Sequence, residues 1–158
     1  ERLEETLQIC RQMWSGNTGC YEGRHYRLAE TLSEPATISQ PHPPIMIGGS
    51  GEKKTLRLVA KYGDACNLFV STPDQATHKL AVLRRHCEAE GTDYDRIRKT
   101  VLYTGTALAT NDMAGFLDEM RGLAAVGIDE VQIMPNGPDP VAVIEAATAS
   151  VVPALAEL

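Results

Sequence analysis

Residues 43–51, Pro43-Pro44-Ile45-Met46-Ile47-Gly48-Gly49-Ser50-Gly51, run a short apolar segment straight into a glycine-rich turn, and the helical pattern Glu52 to Lys61 follows. Two prolines stop any preceding helix. The three apolar residues Ile45 to Ile47 make a strand short and uniform enough to be buried on both faces, as strands of parallel sheets are. Gly48, Gly49 and Gly51 remove the Cβ atoms that would hold a ligand away from the backbone, so the first amides of the next helix can point at a phosphate or carboxylate. The helix dipole adds to that pull. This reading puts Lys53 and Lys54 in the first helical turn, where cations oppose the dipole; they serve a nearby negative group or face solvent. The bland alternative for the segment is a tight strand-to-helix connection.

Spacing excludes two familiar phosphate loops. A Walker A loop requires Gly-Lys followed by Ser or Thr after four free positions, whereas Glu52 follows Gly51 here. The dinucleotide fingerprint requires a third glycine where this chain has Lys54. What remains is a turn at the carboxyl end of a parallel strand, the place where α/β folds bind ligands.

Downstream of the turn the pattern alternates. Leu56, Val59 and Ala60 form the inward face of the first helix, with Gly63 as its stop, and Ala65 to Val70 reads as the next strand. Thr72-Pro73-Asp74 opens a second helix whose apolar face is Ala76, Leu80, Leu83 and Cys87, ending at Gly91. Thr100 to Ala109 is a third strand. Asn111 or Asp112 then caps a helix carrying Phe116, Leu117, Met120 and Ala124 as far as Gly127. Ile128 to Met134 is the fourth strand, Asp139-Pro140 starts the last helix, and Pro153 kinks or ends it. This alternation predicts an α/β fold of parallel (β/α) units. Upstream, Leu3, Leu7, Cys10 and Trp14 mark an amphipathic helix ending near Ser15-Gly16. Residues 17–44 form a long polar excursion in which Tyr21 to Leu28 is the extended piece. The domain reading is a single segment, 1–158, with the helix and excursion over 1–44 and the βα repeats over 45–158.

Composition narrows the function classes. The chain has 158 residues, 43% hydrophobic and 23% charged, with a formal net charge of −6, and its isoelectric point is near 5.2. An acidic surface without a basic stripe predicts no nucleic-acid partner. No run approaches the ~18 apolar residues of a membrane span, and no signal-peptide series opens the sequence, so a cytoplasmic location is expected. Cys10, Cys20, Cys66 and Cys87 are widely spaced and lack a Cys-x-x-Cys pair, and His25, His42, His78 and His86 are scattered. Reduced thiols and no metal site are expected.

The run Pro41 to Ala60, continuing through Tyr62, Asp64, Ala65, Cys66 and Asn67, resembles the luciferase-like monooxygenase superfamily, and within it the branch that uses the deazaflavin coenzyme F420. Arg2-Leu3-Glu4-Glu5 through Trp14, Tyr21 to Tyr26 with Gly23, and Val152-Pro153-Ala154-Leu155 are similar to the same family. The resemblance implies the C-terminal half of a (β/α)₈ TIM barrel that binds its cofactor at the carboxyl ends of the strands. It implies Ile47, Gly48, Gly49, Ser50, Gly51 and Asn67 as cofactor-binding residues, F420 as the cofactor with FMN as the alternative, and hydride transfer to or from a small organic substrate. A complete barrel takes ~250 residues. The family's first half, which supplies most of the residues credited with chemistry, has no counterpart here. No catalytic residue is therefore named; Asp64, Asp129 and Glu130 read as solvated or capping carboxylates. The further alternatives are an FMN-dependent monooxygenase and a non-catalytic half-barrel that serves binding or assembly. Four strands from a closed barrel would leave two open edges and strip the inward-facing Ile45, Ile47, Val131 and Ile133 of their opposite wall. A homo-oligomer, or pairing with the missing N-terminal half, is expected.

Overall fold

The computed structural model describes residues 1–108, 110, 112–134 and 139–155. Two compact units divide the chain, Glu1–Ile45 and Met46–Leu158.

In the first unit, helix α1 (Arg2–Trp14) is followed by a two-stranded antiparallel hairpin, β1 (Tyr21–Glu22) and β2 (Arg27–Leu28), paired Tyr21 to Leu28 and Glu22 to Arg27. Glu5 of α1 fixes the hairpin turn. Its carboxylate accepts hydrogen bonds from the amides of Arg24 at 3.1 Å, His25 at 2.9 Å and Tyr26 at 3.0 Å. Thr31 is fully buried and donates to the carbonyls of Asn17 at 2.8 Å and Gly19 at 2.9 Å, which ties down a segment with little regular structure. Trp14 stacks on His42 with ring centroids 5.7 Å apart.

The second unit is a parallel four-stranded sheet in the order β3 (Met46–Gly48), β4 (Ala65–Leu68), β5 (Arg98–Tyr103), β6 (Glu130–Ile133). The crossovers are α2 (Thr55–Tyr62), α3 (Pro73–Glu90) and α4 (Met113–Ala125), and α5 (Pro140–Ser150) and α6 (Val152–Leu155) close the described chain. This is the parallel (β/α) series read from the sequence. Thr72 caps α3 by accepting from the Gln75 amide, and Gly91 ends it in the left-handed conformation at φ 68°, the arrangement that glycine adopts without Cβ cost. Asp112 and Asp139 cap α4 and α5 by accepting from the amides of Gly115 and Ala142. The other proposed cap, Asn111, lies outside the described residues.

Several boundaries differ from the sequence reading. The first strand runs Met46–Gly48 rather than Ile45 to Ile47, and α2 starts at Thr55 rather than Glu52, after a turn over residues 52–54. Lys53 and Lys54 thus precede the helix, exposed. The second and fourth strands are shorter than read, and β5 stops at Tyr103, six residues before the expected Ala109, which is itself outside the described residues. In α4 the third buried side chain is Leu123, while Ala124 is exposed.

The core lies between the sheet and its helices. Leu56, Val59, Leu68, Ala76, Leu83 and Val101 are completely buried there. Gly63 lets α2 run closely into β4, since a Cβ would lie 2.9 Å from the Val59 carbonyl oxygen, a backbone atom that cannot swing aside. All four cysteines are free thiols, and burial pushes those of Cys66 and Cys87 upward, away from the reactive thiolate.

Register decides which residues face the helices. Ile47 pairs with Cys66, Leu68 with Val101, and Val101 with Val131. Paired residues of a parallel ladder share a face, and residues two apart do too. Tyr103, on that same face, packs edge-on against Phe116 of α4 at 4.9 Å. Ile47, Val131 and Ile133 therefore face the helices, which corrects the expectation that they line an uncovered barrel interior. Met46, Gly48, Asn67, Thr100, Leu102, Glu130 and Gln132 occupy the opposite face.

Candidate functional site

The glycine turn is fastened on two sides and open on a third. Gly49 sits at φ 121°, a conformation that L side chains rarely adopt, and its amide donates to the Asn67 carbonyl at 2.9 Å, extending the β3–β4 ladder past the strand end. Ser50 Oγ donates to the Phe69 carbonyl at 3.1 Å and accepts from the Phe69 amide at 2.8 Å. A Cβ on Gly51 would stand 2.8 Å from Thr55 Oγ1, so the turn closes tightly on the helix that follows. At Gly48, by contrast, a Cβ would meet nothing within 4 Å. The regular amide bonding of α2 begins with Leu56, which donates to the Gly51 carbonyl at 3.0 Å. The amides of residues 50–55 donate to none of the described residues.

Glu52 holds the outer side of the turn against α3. Its carboxylate lies 2.6 Å from Lys79 Nζ and 3.1 Å from His78 Nε2, and its carbonyl is 2.7 Å from His86 Nε2. The hydrogen bond from Lys79, then that from His78, holds the Glu52 carboxyl below the usual glutamate range. The unfolded chain therefore takes up this proton at higher pH than the folded one. The contribution to stability is complete above the ordinary glutamate value and is lost as pH falls through the lower folded value. Glu52→Gln is expected to lower the melting temperature near neutral pH and to match the wild type in acid, where wild-type Glu52 is also neutral; thermal unfolding across pH 3 to 7 checks this. Between the turn and α3 lies a cleft of about 560 Å³ lined by Ser50, Phe69, Asp74, Gln75, His78 and Lys79.

The structure brings the expected site residues together. Gly48 is the register partner of Asn67, and Ile47 that of Cys66, so the turn and Asn67 share the carboxyl ends of adjacent strands. The side chain of Ile47 is buried on the helix face, so only its backbone can serve the site. Asn67 points to the other face, where its Nδ2 donates to Gln132 Oε1 at 2.5 Å. Gln132, Glu130 and Arg98 were not foreseen as site residues; only register across three strands reveals them. Asp129 is structural, accepting the Lys99 amide at 2.7 Å on its carboxylate. Burial, then Glu119, pushes the Tyr103 phenol up to about 12, which keeps it protonated near neutral pH. Among the described residues no group of three or more His, Cys, Asp or Glu could hold a metal ion, and no helix is long and apolar enough to cross a membrane.

Parallel strands backed by helices, with a glycine turn at their carboxyl ends, have the architecture of a segment of a (β/α) barrel, whose ligands bind at that end of the strands. The chain belongs to the luciferase-like monooxygenase family, whose model matches residues 1–148. An uncharacterized protein of Mycobacterium tuberculosis strain H37Rv is 28% identical over 71 residues, 45% of this chain and 24% of that protein. The coenzyme F420-dependent tetrahydromethanopterin reductase of Methanopyrus kandleri superposes with TM-score 0.78 at 14% identity, covering 96% of this chain and 62% of the reductase. An F420-dependent secondary alcohol dehydrogenase, solved with an F420-acetone adduct, gives TM-score 0.78 at 15% identity over 96% and 60%. The monooxygenase RslO1 of Streptomyces bottropensis gives 0.68 at 15% over 98% and 61%. The chain thus spans about three fifths of these solved structures, and the likeness establishes the fold.

Proposed function

We propose that this chain is the C-terminal part of a deazaflavin-dependent oxidoreductase that binds coenzyme F420 at Gly48–Gly51 and Asn67. The observation that carries this reading is the turn itself: the amides of residues 50–55 donate to none of the described residues, next to a Gly48 whose Cβ side is empty. Such a turn fits the phosphate-bearing chain of a flavin or deazaflavin, with close backbone approach at Gly48 and anion-directed amides beyond it. The cofactor supplies the hydride chemistry; the protein's part is to bind and orient it. Ser50 and Glu52 keep the turn in place against β4 and α3, and the substrate is a small organic molecule.

The alternative reading is an FMN-dependent monooxygenase of the same family; a monooxygenase shares the fold. Absorbance and fluorescence titrations with F420 and with FMN separate the two. Saturable binding of F420 in preference to FMN is expected, and preference for FMN would overturn the deazaflavin assignment.

We propose further that the chain associates, with a copy of itself or with the strands that complete the barrel. Among the described residues no strand pairs with the outer edge of β3 or of β6. Val141, Ile144 and Val152 present exposed apolar side chains on α5 and α6. Open edges and apolar patches of this kind seek partners. Light scattering at low micromolar concentration should return a mass above that of the monomer; a sharp monomer mass with cooperative unfolding would refute the association.

A further inference from the structure

The sheet face turned away from the helices carries a hydrogen-bond chain with a fixed direction. Arg98 Nη2 lies 2.8 Å from Glu130 Oε2, Gln132 Nε2 donates to Glu130 Oε1 at 3.1 Å, and Asn67 Nδ2 donates to Gln132 Oε1 at 2.5 Å. A carboxylate only accepts. Gln132 must therefore turn its amino group to Glu130 and its oxygen to Asn67. Asn67 must in turn give its amino group to Gln132, which leaves Oδ1 as an acceptor pointing elsewhere. That oxygen is buried and has no hydrogen-bond donor among the described residues, a state that folded proteins rarely leave without a reason. Met46 is about half exposed, and its sulfur reaches to 3.9 Å from Gln132 Nε2. Since β4 and β5 separate their strands, this flexible side chain must lie across the network. Methionine is well suited to yield such a place to another group.

We propose that Glu130 and Gln132 are positioning residues that hold Asn67 as an obligate acceptor, and that Asn67 Oδ1 receives an imide or lactam N–H from the ring of the bound ligand once Met46 moves aside. The proposal rests on the reading that the cofactor occupies the glycine turn, which adjoins Asn67 through the Gly49 amide bond. The pyrimidinedione ring shared by flavins and deazaflavins carries such an imide N–H, so the acceptor reads a feature common to both.

Two experiments test it. In the first, wild type and Asn67→Ala are titrated with the cofactor and with its analogue methylated at the imide nitrogen. Wild type should bind the N–H form about tenfold more tightly, the effect of one buried hydrogen bond, and Asn67→Ala should bind the two alike. Equal binding of both forms by wild type would overturn the assignment of Asn67 as the reader of the N–H. If neither F420 nor FMN binds wild type, the proposed function fails and this ligand assignment fails with it.

The second experiment needs no ligand. Asn67→Asp sets a carboxylate against Gln132 Oε1 and should lower the melting temperature. Adding Glu130→Gln allows the whole chain to reverse, with position 130 donating to Gln132 and Gln132 donating to Asp at 67. The double variant should therefore regain part of the loss, whereas a double variant at or below the sum of the single effects would overturn the directed chain.

Discussion

Replacing Gly48 by Val should lower cofactor affinity roughly 5- to 150-fold and leave the unfolding transition close to that of the wild type. The expectation joins two facts about one position. A Cβ at Gly48 meets no protein atom within 4 Å, and the residue ends a strand, where a β-branched side chain is well tolerated. The fold therefore has no cause to object. Under the proposed function the same empty space is where the turn offers its backbone to the ligand, and filling a closely fitted space costs ~1–3 kcal/mol, or roughly 5- to 150-fold in affinity. Gly49→Val is a poorer probe, because φ 121° would strain any side chain there and lower stability along with affinity. A titration beside a melting curve distinguishes the two variants; unchanged affinity in Gly48→Val would mean that the turn is only a connector.

Leu56→Ala is expected to destabilise the protein by about 2–5 kcal/mol, the range for deleting a fully buried leucine. Leu56 is the second residue of α2, is completely buried, and its amide bonds to the Gly51 carbonyl. Its side chain belongs to the layer where α2 presses on the sheet and on α3. At roughly 2–4 °C per kcal/mol for a chain of this size, the melting temperature should fall by on the order of 10 °C. Leu32→Ala serves as the control, since Leu32 is 54% exposed and exposed substitutions change stability by roughly 0.5 kcal/mol or less. Comparable losses in the two variants would contradict the placement of the core.

What could be read in the sequence followed from local chemistry. The strand, the glycine turn and the alternation of β and α were visible because glycine, proline and capping residues act over a few positions. Thr72, Asp112 and Asp139 marked helix starts that the structure keeps. The start of α2 was missed by three residues because Glu52, Lys53 and Lys54 are good helix formers; the competing force is tertiary, the hold of Lys79 and His78 on Glu52. Strand β5 was read too long because Ala107 and Leu108 are buried and apolar, although they lie in a turn. The facing of Ile47, Val131 and Ile133 differs from the expectation because alternation in Glu130-Val131-Gln132-Ile133 shows only that the apolar side chains share a face; whether that face meets the helices or the barrel interior emerges only from the register across strands. For the same reason the chain from Arg98 through Glu130 and Gln132 to Asn67 was hidden. It spans 65 residues between Asn67 and Gln132 and exists only in the register of three strands.

On the proposed function, the glycine turn and Asn67 form one cofactor site at the carboxyl ends of β3 and β4. The most direct measurement follows the backbone and side-chain amide resonances of the protein by nuclear magnetic resonance as F420 is added. Saturable shifts should concentrate at Gly48 to Thr55 and at the Asn67 side chain, with the far ends of the same strands unmoved. Shifts confined to other parts of the protein, or none at saturating cofactor, would contradict it.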